Sequence, residues 1–412
     1  ATTPISAGAV FMAGEQLWTD PLTYGEDYLE LLIGYQDENG YVTDGMYDDM
    51  NYTKIYDSEA YWDGWTLISE INQGKSFIHH SGHANQTYVM RLNISDITNQ
   101  NFAQTNGTNH NYPIIYTHGC LCGAFDENDC IGEAMVLIDN FAVAGAFNSR
   151  YGWFNEGQTE GPSAHLEREF VDALYHDREC RLGAAHMISR IQTAPWVNAP
   201  GQWEQGALRW CFYCCNIFGD PMLGVWTDEP YNIVTEYPEY IEPGETQIPV
   251  TVTCNGEPMA GYQCVIMSEE GTMVGCCPTD SAGQALIEVP GGFADATTIQ
   301  LIVSGYDCLP LDYTINITVG IKEQALNLLN FNASPNPFSD QVKLSFDLEK
   351  DQPVTIKFFD MSGRKLGERA LTGEVGRNEF SAYTSSWPEG MIRAMIICSD
   401  GVVQQQLLHI AK

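Results

Sequence analysis

Short apolar runs separated by polar turns set the pattern of the first half of the chain. Ala9-Val10-Phe11-Met12-Ala13, Ser76-Phe77-Ile78 and Ile114-Ile115-Tyr116 have strand length and fit strands buried on both faces. Around them, Asp27 to Leu32, Gly132 to Asn140 and Ser163 to Tyr175 read as helices, with Ser163 placed to cap the last. Alternating strands and helices predict a parallel sheet flanked by helices. Near Thr227-Asp228-Glu229-Pro230 the helical period gives way to alternation with period two. Gln247 to Cys254, Gln263 to Met267 and Thr298 to Ser304, cut by Gly, Pro and Asp turns, predict an antiparallel sandwich of immunoglobulin type. A third segment turns at Ser334-Pro335-Asn336-Pro337 and continues through strand-like Val342 to Leu348 and Val354 to Phe359, as a small all-β module. The expected architecture is multidomain: an α/β domain over 1–228, then two all-β sandwich modules over 229–320 and 321–412.

Composition narrows the function. The chain has 412 residues and a formal net charge of −35, a field that repels phosphate backbones and excludes nucleic acid as a natural partner. The first reading of this charge is a solvated acidic surface. The second is structural calcium, with Asp37-Glu38-Asn39-Gly40 and Asp126-Glu127-Asn128-Asp129 as candidate loops, neither carrying the full twelve-residue calcium pattern. Lysine is confined to Lys54 and Lys75 before residue 322, and six more follow, which sets the last segment apart. No apolar run reaches the roughly 18 to 20 residues of a membrane helix. The sequence opens at Ala1 without a signal-like stretch, so an export segment is expected upstream or already removed. Thirteen cysteines, an odd number, leave at least one without an intrachain partner; disulfides are expected only in an exported protein.

Three apolar runs end in reactive residues. The first delivers Glu15, the second leads into His79-His80-Ser81-Gly82-His83, and the third into Thr117-His118-Gly119-Cys120. In open parallel sheets ligands bind beyond the carboxyl ends of the strands, so a carboxylate, an imidazole and a thiol are expected to converge there. A histidine raises the thiolate fraction of a neighbouring cysteine and can protonate a leaving amine. Glu15 is expected to orient the imidazole or favour its charged form. Gly82 and Gly119 are expected to let the backbone turn sharply. The N–H groups of Ala84 and Cys120 are candidate oxyanion donors, worth roughly 3 to 4 kcal/mol each.

These residues resemble the gingipain peptidases of the caspase-like clan. The resemblance is carried by FIHHSGHANQTY (Phe77 to Tyr88) and YPIIYTHGCLCGAFDENDCIGEA (Tyr112 to Ala134). It extends through TYGEDYLELLIG (Thr23 to Gly34), NSRYGWF (Asn148 to Phe154), GPSAHLEREFVDALY (Gly161 to Tyr175) and FGDP (Phe218 to Pro221). It implies His83 as general acid/base, Cys120 as nucleophile and Glu15 as the carboxylate partner of the histidine. It places Asp27, with Glu26 as competitor, near the acid that selects Arg in arginine-cleaving members, and Ser149, Arg150 and Tyr151 along the substrate. Ala84 stands where many members have Gly, and Gly119 where many have Ala. Cys122 is open as packing residue, decoy or disulfide partner, and His79, His80 and His118 read as supporting or structural. Family members usually carry a further α/β stretch upstream, whose absence is expected to leave an open sheet edge for an N-terminal fragment or self-association to cover. The two trailing segments resemble the immunoglobulin-like domain that follows gingipain catalytic domains and the sorting domain of type IX secretion. The implied protein is secreted or held at the cell surface. Its leading function is a cysteine endopeptidase acting on protein or peptide, after Arg or Lys, with no required cofactor. The rival is a peptidase scaffold without turnover, serving as a surface component.

Overall fold

The computed structural model describes residues 8–198, 204–293, 296–317, 331–398 and 401–410. The expected boundary near 320 lies outside them. Six strands build the central sheet: β1 (Ala9–Gly14), β2 (Asn51–Tyr56), β3 (Phe77–Ser81), β4 (Ile114–Thr117), β5 (Ala144–Asn148) and β6 (Cys215–Phe218). Their order is β2-β1-β3-β4-β5-β6; the first five run parallel and β6 runs antiparallel to β5. The chain order reverses between β1 and β3, which makes their carboxyl ends a switch point where such sheets bind ligands.

Among the described residues six α-helices accompany the sheet: α1 (Glu26–Leu29), α2 (Gly64–Ile71), α3 (Ile131–Leu137), α4 (Pro162–Tyr175), α5 (Leu182–Thr193) and α6 (Ala207–Cys214). Successive strand residues face opposite sides. Val10, Met12, Phe77, Ile114 and Tyr116 pack on Phe170 and Leu174 of α4 and Leu182 of α5. Phe11, Ala13, Ile78 and Ile115 pack on Leu67 and Ile71 of α2 and Ile131 and Met135 of α3.

Three local expectations are corrected. α4 begins with Pro162, whose fixed φ suits a first helical turn. Ser163 therefore lies inside the helix instead of capping it, and its hydroxyl accepts the N–H of Trp153 at 3.0 Å. α3 stops at Leu137 because Ile138 is extended (φ −76°, ψ 157°). The 27–32 helix splits into α1 and a 3-10 turn over Glu30–Leu32. β2 and β6 are the two edge strands, and β2 has no outer partner among the described residues. It carries Lys54, ion-paired with Glu30 at 2.8 Å, and a lysine on an edge discourages further pairing.

Two all-β regions follow. Ile233–Glu236, Gln247–Cys254, Glu257–Pro258 and Gln284–Glu288 form one sheet, and Tyr240–Ile241, Gln263–Met267, Met273–Pro278, Thr298–Ser304 and Leu311–Ile317 form another. The chain divides into two compact units, the first spanning Ala1–Glu239, Thr246–Gly291 and Thr298–Ile315. That unit joins the α/β domain to most of the first all-β region, helped by Thr227, whose N–H and hydroxyl both donate to the Asp307 carboxylate. In the tail, Asn332–Ser334, Gln341–Leu348 and Gly376–Tyr383 form one sheet and Gln352–Asp360, Lys365–Gly373, Gly390–Cys398 and Gly401–His409 a second, around Phe346, Ile356, Phe358, Ile392 and Ile396.

On α4, burial and the nearby Asp172 push the Glu169 carboxyl up to about 7. The folded protein thus holds this proton more tightly than the unfolded chain, so the Glu169 contribution to stability falls as pH rises from the ordinary carboxylate range to about 7. Thermal unfolding followed by calorimetry between pH 4.5 and 8 is expected to show this decline in the native protein. Glu169→Gln is expected to flatten it and to be the more stable form, relative to native, at the alkaline end.

Candidate active site

The site is assembled by strand register. β3 pairs with β1 through Ala13↔His80 and with β4 through His80↔Thr117, so the three strands end level with one another. Glu15 follows β1 directly and is 5% exposed. One carboxylate oxygen lies 3.2 Å from His80 Nε2, and the other accepts the backbone N–H of His83 at 3.3 Å. Burial pushes this carboxyl up, but the bond and charge of His80, together with Arg91 and the His83 N–H, outweigh it and hold it below the usual carboxylate range. Glu15 thus grips the backbone of His83, where the sequence reading expected a grip on the imidazole.

The His83 ring is oriented elsewhere. Its Nε2 donates to the carbonyl of Leu17 at 3.1 Å, a partner that can only accept. In the neutral ring this leaves Nδ1 as the nitrogen with a free lone pair. Cys120 is a free thiol, half-buried, with its Sγ donating to the carbonyl of Gly152 at 3.6 Å. Burial pushes the thiol up, against a smaller opposing effect of the Gly152 bond, so its resting form is S–H. The His83 ring and the Cys120 sulfur do not hydrogen-bond to each other in this state; apo catalytic contacts are often long. Among the described residues no acceptor takes the N–H of Ala84 or of Cys120. Leu121, directly after the cysteine, holds a left-handed φ of 59°, a costly conformation for a branched side chain.

The glycines beside the reactive residues supply space. The backbone bends at Gly82 and at Cys120, and neither Gly82 nor Gly119 has positive φ, so these bends do not use the left-handed freedom of glycine. A Cβ on Gly82 would lie 2.4 Å from His80 Nε2 and 2.6 Å from Glu15 Cδ. A Cβ on Gly119 would lie 2.6 Å from the Cβ of Ala84. The His83 and Cys120 loops therefore touch through Ala84 and Gly119, with room for one methyl group.

The remaining candidates fall around this centre. Gly25 packs so tightly on the end of β3 that a Cβ there would sit 2.1 Å from Ser81 O, which seats the acidic start of α1 beside the site. Within it, Asp27 accepts the Tyr24 N–H at 3.1 Å, while Glu26 accepts from Ser58 and is raised chiefly by burial. Ser149 is tied to Cys214 O through both N–H and hydroxyl. Arg150 accepts the Leu121 N–H on its carbonyl, but its guanidinium turns away to grip Asp126 at 2.6 and 2.9 Å. Tyr151 is 55% exposed. Cys122 is fully buried and donates to Gly119 O, the packing alternative of the three. All thirteen cysteines are free thiols. Among the described residues no three His, Cys, Asp or Glu side chains are grouped to hold a metal. Asn39 and Gly40, φ 58° and 89°, form a hairpin turn between Tyr35–Glu38 and Tyr41–Asp44.

His79, on the opposite face of β3, lies 2.9 Å from Glu167 of α4, whose other oxygen is 2.6 Å from His118 Nε2. Glu167 is completely buried; burial pushes its carboxyl up, and His118 and His79 together pull it below the usual range. A cleft of about 590 Å³ flanks His83 and Glu15, walled by Asp57, Asp63 and Arg91. Another cavity, about 1350 Å³, is lined by none of the candidate site residues.

A parallel sheet with thiol and imidazole on adjacent strand ends is the construction of a caspase-like cysteine peptidase. The family model for peptidase family C25 matches residues 6–226, and the chain belongs to that family. The model for the secretion system C-terminal sorting domain matches residues 332–408, which marks the chain for export across the outer membrane. Among solved structures, the Arg-specific cysteine proteinase gingipain R shares 17% identity at a TM-score of 0.59, over 77% of this chain and 70% of its own. The complex of the pro- and mature domains of a Porphyromonas gingivalis gingipain follows at 17% and 0.58, over 77% and 71%. A structure described as a protease shares 16% at 0.53, over 65% and 59%. None of the curated proteins compared with the chain matches it. Among the described residues no helix is long and apolar enough to cross a membrane.

The Ala84–Gly119 contact makes a stability prediction. Gly119→Ala is expected to cost about 1–3 kcal/mol by overpacking, measured by urea unfolding. Adding Ala84→Gly, which returns the lost space from the other side, is expected to recover most of that loss, a coupling that independent sites would not show.

Proposed function

We propose that this protein is an exported cysteine endopeptidase, with Cys120 as nucleophile, His83 as general base and acid, and Arg or Lys preferred before the cleaved bond. The observation that carries the reading is the pairing of a free Cys120 thiol with two unengaged N–H groups, Ala84 and Cys120, beside an imidazole held by Leu17. In this reading His83 Nδ1 takes the Cys120 proton as the sulfur attacks the peptide carbonyl carbon. The carbonyl π pair moves to oxygen, and the resulting oxyanion is met by the two free donors. His83 then gives the proton to the departing amine, leaving a thioester that water hydrolyses with His83 again acting as base. The basic preference is supported by the acidic start of α1, where Glu26 and Asp27 pack against the end of β3, and by the net charge of −35. The alternative, a scaffold without turnover, draws on the resting thiol and its lack of a bond to His83.

An acyloxymethyl ketone probe with Arg at P1 separates the two. The native protein is expected to be labelled, Cys120→Ala to be unlabelled, and His83→Ala to react at least about 100-fold more slowly. A native chain inert to Arg, Lys and apolar probes alike would establish the scaffold reading.

A further inference from the structure

The two free donors share a feature of their surroundings: in each loop the preceding N–H is taken. The N–H of His83, before Ala84, goes to Glu15, and the N–H of Gly119, before Cys120, goes to the Thr117 hydroxyl at 3.0 Å. The two acceptors are joined through one residue, since His80 Nδ1 lies 2.7 Å from the Thr117 hydroxyl and its Nε2 lies 3.2 Å from Glu15. Every link can be satisfied at once: Thr117 Oγ1 accepts from Gly119 and either donates to His80 Nδ1 or, when both ring nitrogens carry protons, accepts from it too, while His80 Nε2–H donates to Glu15, whose second oxygen accepts from His83. His80 and Thr117 are fully buried and stand in register across the sheet, and a Cβ on Gly82 would lie 2.4 Å from His80 Nε2, so the glycine packs directly against the ring.

We propose that Glu15, His80 and Thr117 form a strut that fixes the peptide groups ahead of both oxyanion donors, which makes His80 and Thr117 positioning residues for the reaction. The inference rests on the endopeptidase reading. The strut spans β1, β3 and β4, so it couples the His83 loop to the Cys120 loop: moving either peptide group strains a bond at the other. His79 is the contrast within the same strand. It bonds Glu167 on the opposite face and touches neither loop donor.

Two reagents distinguish positioning from general support. A peptide aldehyde with Arg at P1 adds the Cys120 sulfur to its carbonyl carbon; the π pair moves to oxygen, which faces the donors and takes up the thiol proton. Iodoacetamide alkylates the same sulfur by displacing iodide and forms no oxyanion. Thr117→Val keeps the shape and removes the hydroxyl. It is expected to weaken aldehyde binding about tenfold or more while the Cys120 alkylation rate changes by less than about threefold. Thr117→Ser, which restores the hydroxyl, is expected to bind the aldehyde like the native protein. Thr117→Ala carries the same test should the valine variant not fold. Equal losses with both reagents, or undiminished aldehyde binding in Thr117→Val, would overturn the strut alone. A native protein that is alkylated at Cys120 but forms no aldehyde adduct would overturn the endopeptidase reading and the strut's role together.

Discussion

The parallel pairing of β3 with β1 on one side and β4 on the other is the constraint on which the rest depends. It brings Ala13, His80 and Thr117 into one row, and it sets Glu15, His83 and Cys120 two or three residues beyond that row. Because strand residues alternate between faces, the two adjacent histidines of β3 serve different halves of the molecule. His80 points to the side of Glu15 and Thr117, where the loops carrying His83 and Cys120 begin. His79 points to α4, where buried Glu167 binds it together with His118. One strand thus anchors the reactive loops from both faces. The helix that carries Glu167 is fixed by Phe170 and Leu174 in the same apolar layer, so core packing and site geometry are one construction.

The electrostatics follow from burial. Glu15 and Glu167 are taken out of water, which by itself would favour their protonated forms, and histidine partners reverse the balance for both. Cys120 has no such partner at rest: burial raises it and only the Gly152 carbonyl bonds its sulfur. The acidic groups are therefore committed to holding structure, while the thiol and the free nitrogen of His83 remain uncommitted.

What was legible in the sequence and what was not divides along the same physical line. β1, β3 and β4 were readable because strands buried on both faces need continuous apolar residues. β2 was not, because Asn51, Tyr52, Thr53 and Lys54 lie on an edge where polar residues are tolerated. α2 escaped notice although Asp63 caps it through the N–H of Thr66, since its eight residues give little periodicity to detect. Ser163 misled because a serine before an apolar run looks like a cap, and only the fixed φ of Pro162 moves the helix start one residue earlier. At the site, Glu15, His83 and Cys120 were visible as reactive residue types at the ends of apolar runs. The roles of Leu17 and Thr117, and of His80 as a link, were not: a carbonyl orienting an imidazole, or a hydroxyl bonded to a histidine 37 residues away, depends on register between strands. No local spacing encodes it.

Ala84 and Gly119, the two positions at which the resemblance to the gingipain pattern breaks, are neighbours in space. Taken singly, alanine at 84 in place of Gly adds a methyl group beside His83, and glycine at 119 in place of Ala removes one beside Cys120. Each alone would alter the fit between the loops. In space the two positions meet, with 2.6 Å between the Ala84 Cβ and the place a Cβ on Gly119 would occupy. One methyl group fits at that contact and two do not. Ala84 with Gly119 and the reversed pairing are therefore alternative ways of filling a single space, and neither position has the positive φ that would itself demand glycine. The methyl group of Ala84 thus occupies the space beside Gly119, and the contact between the His83 and Cys120 loops is filled once.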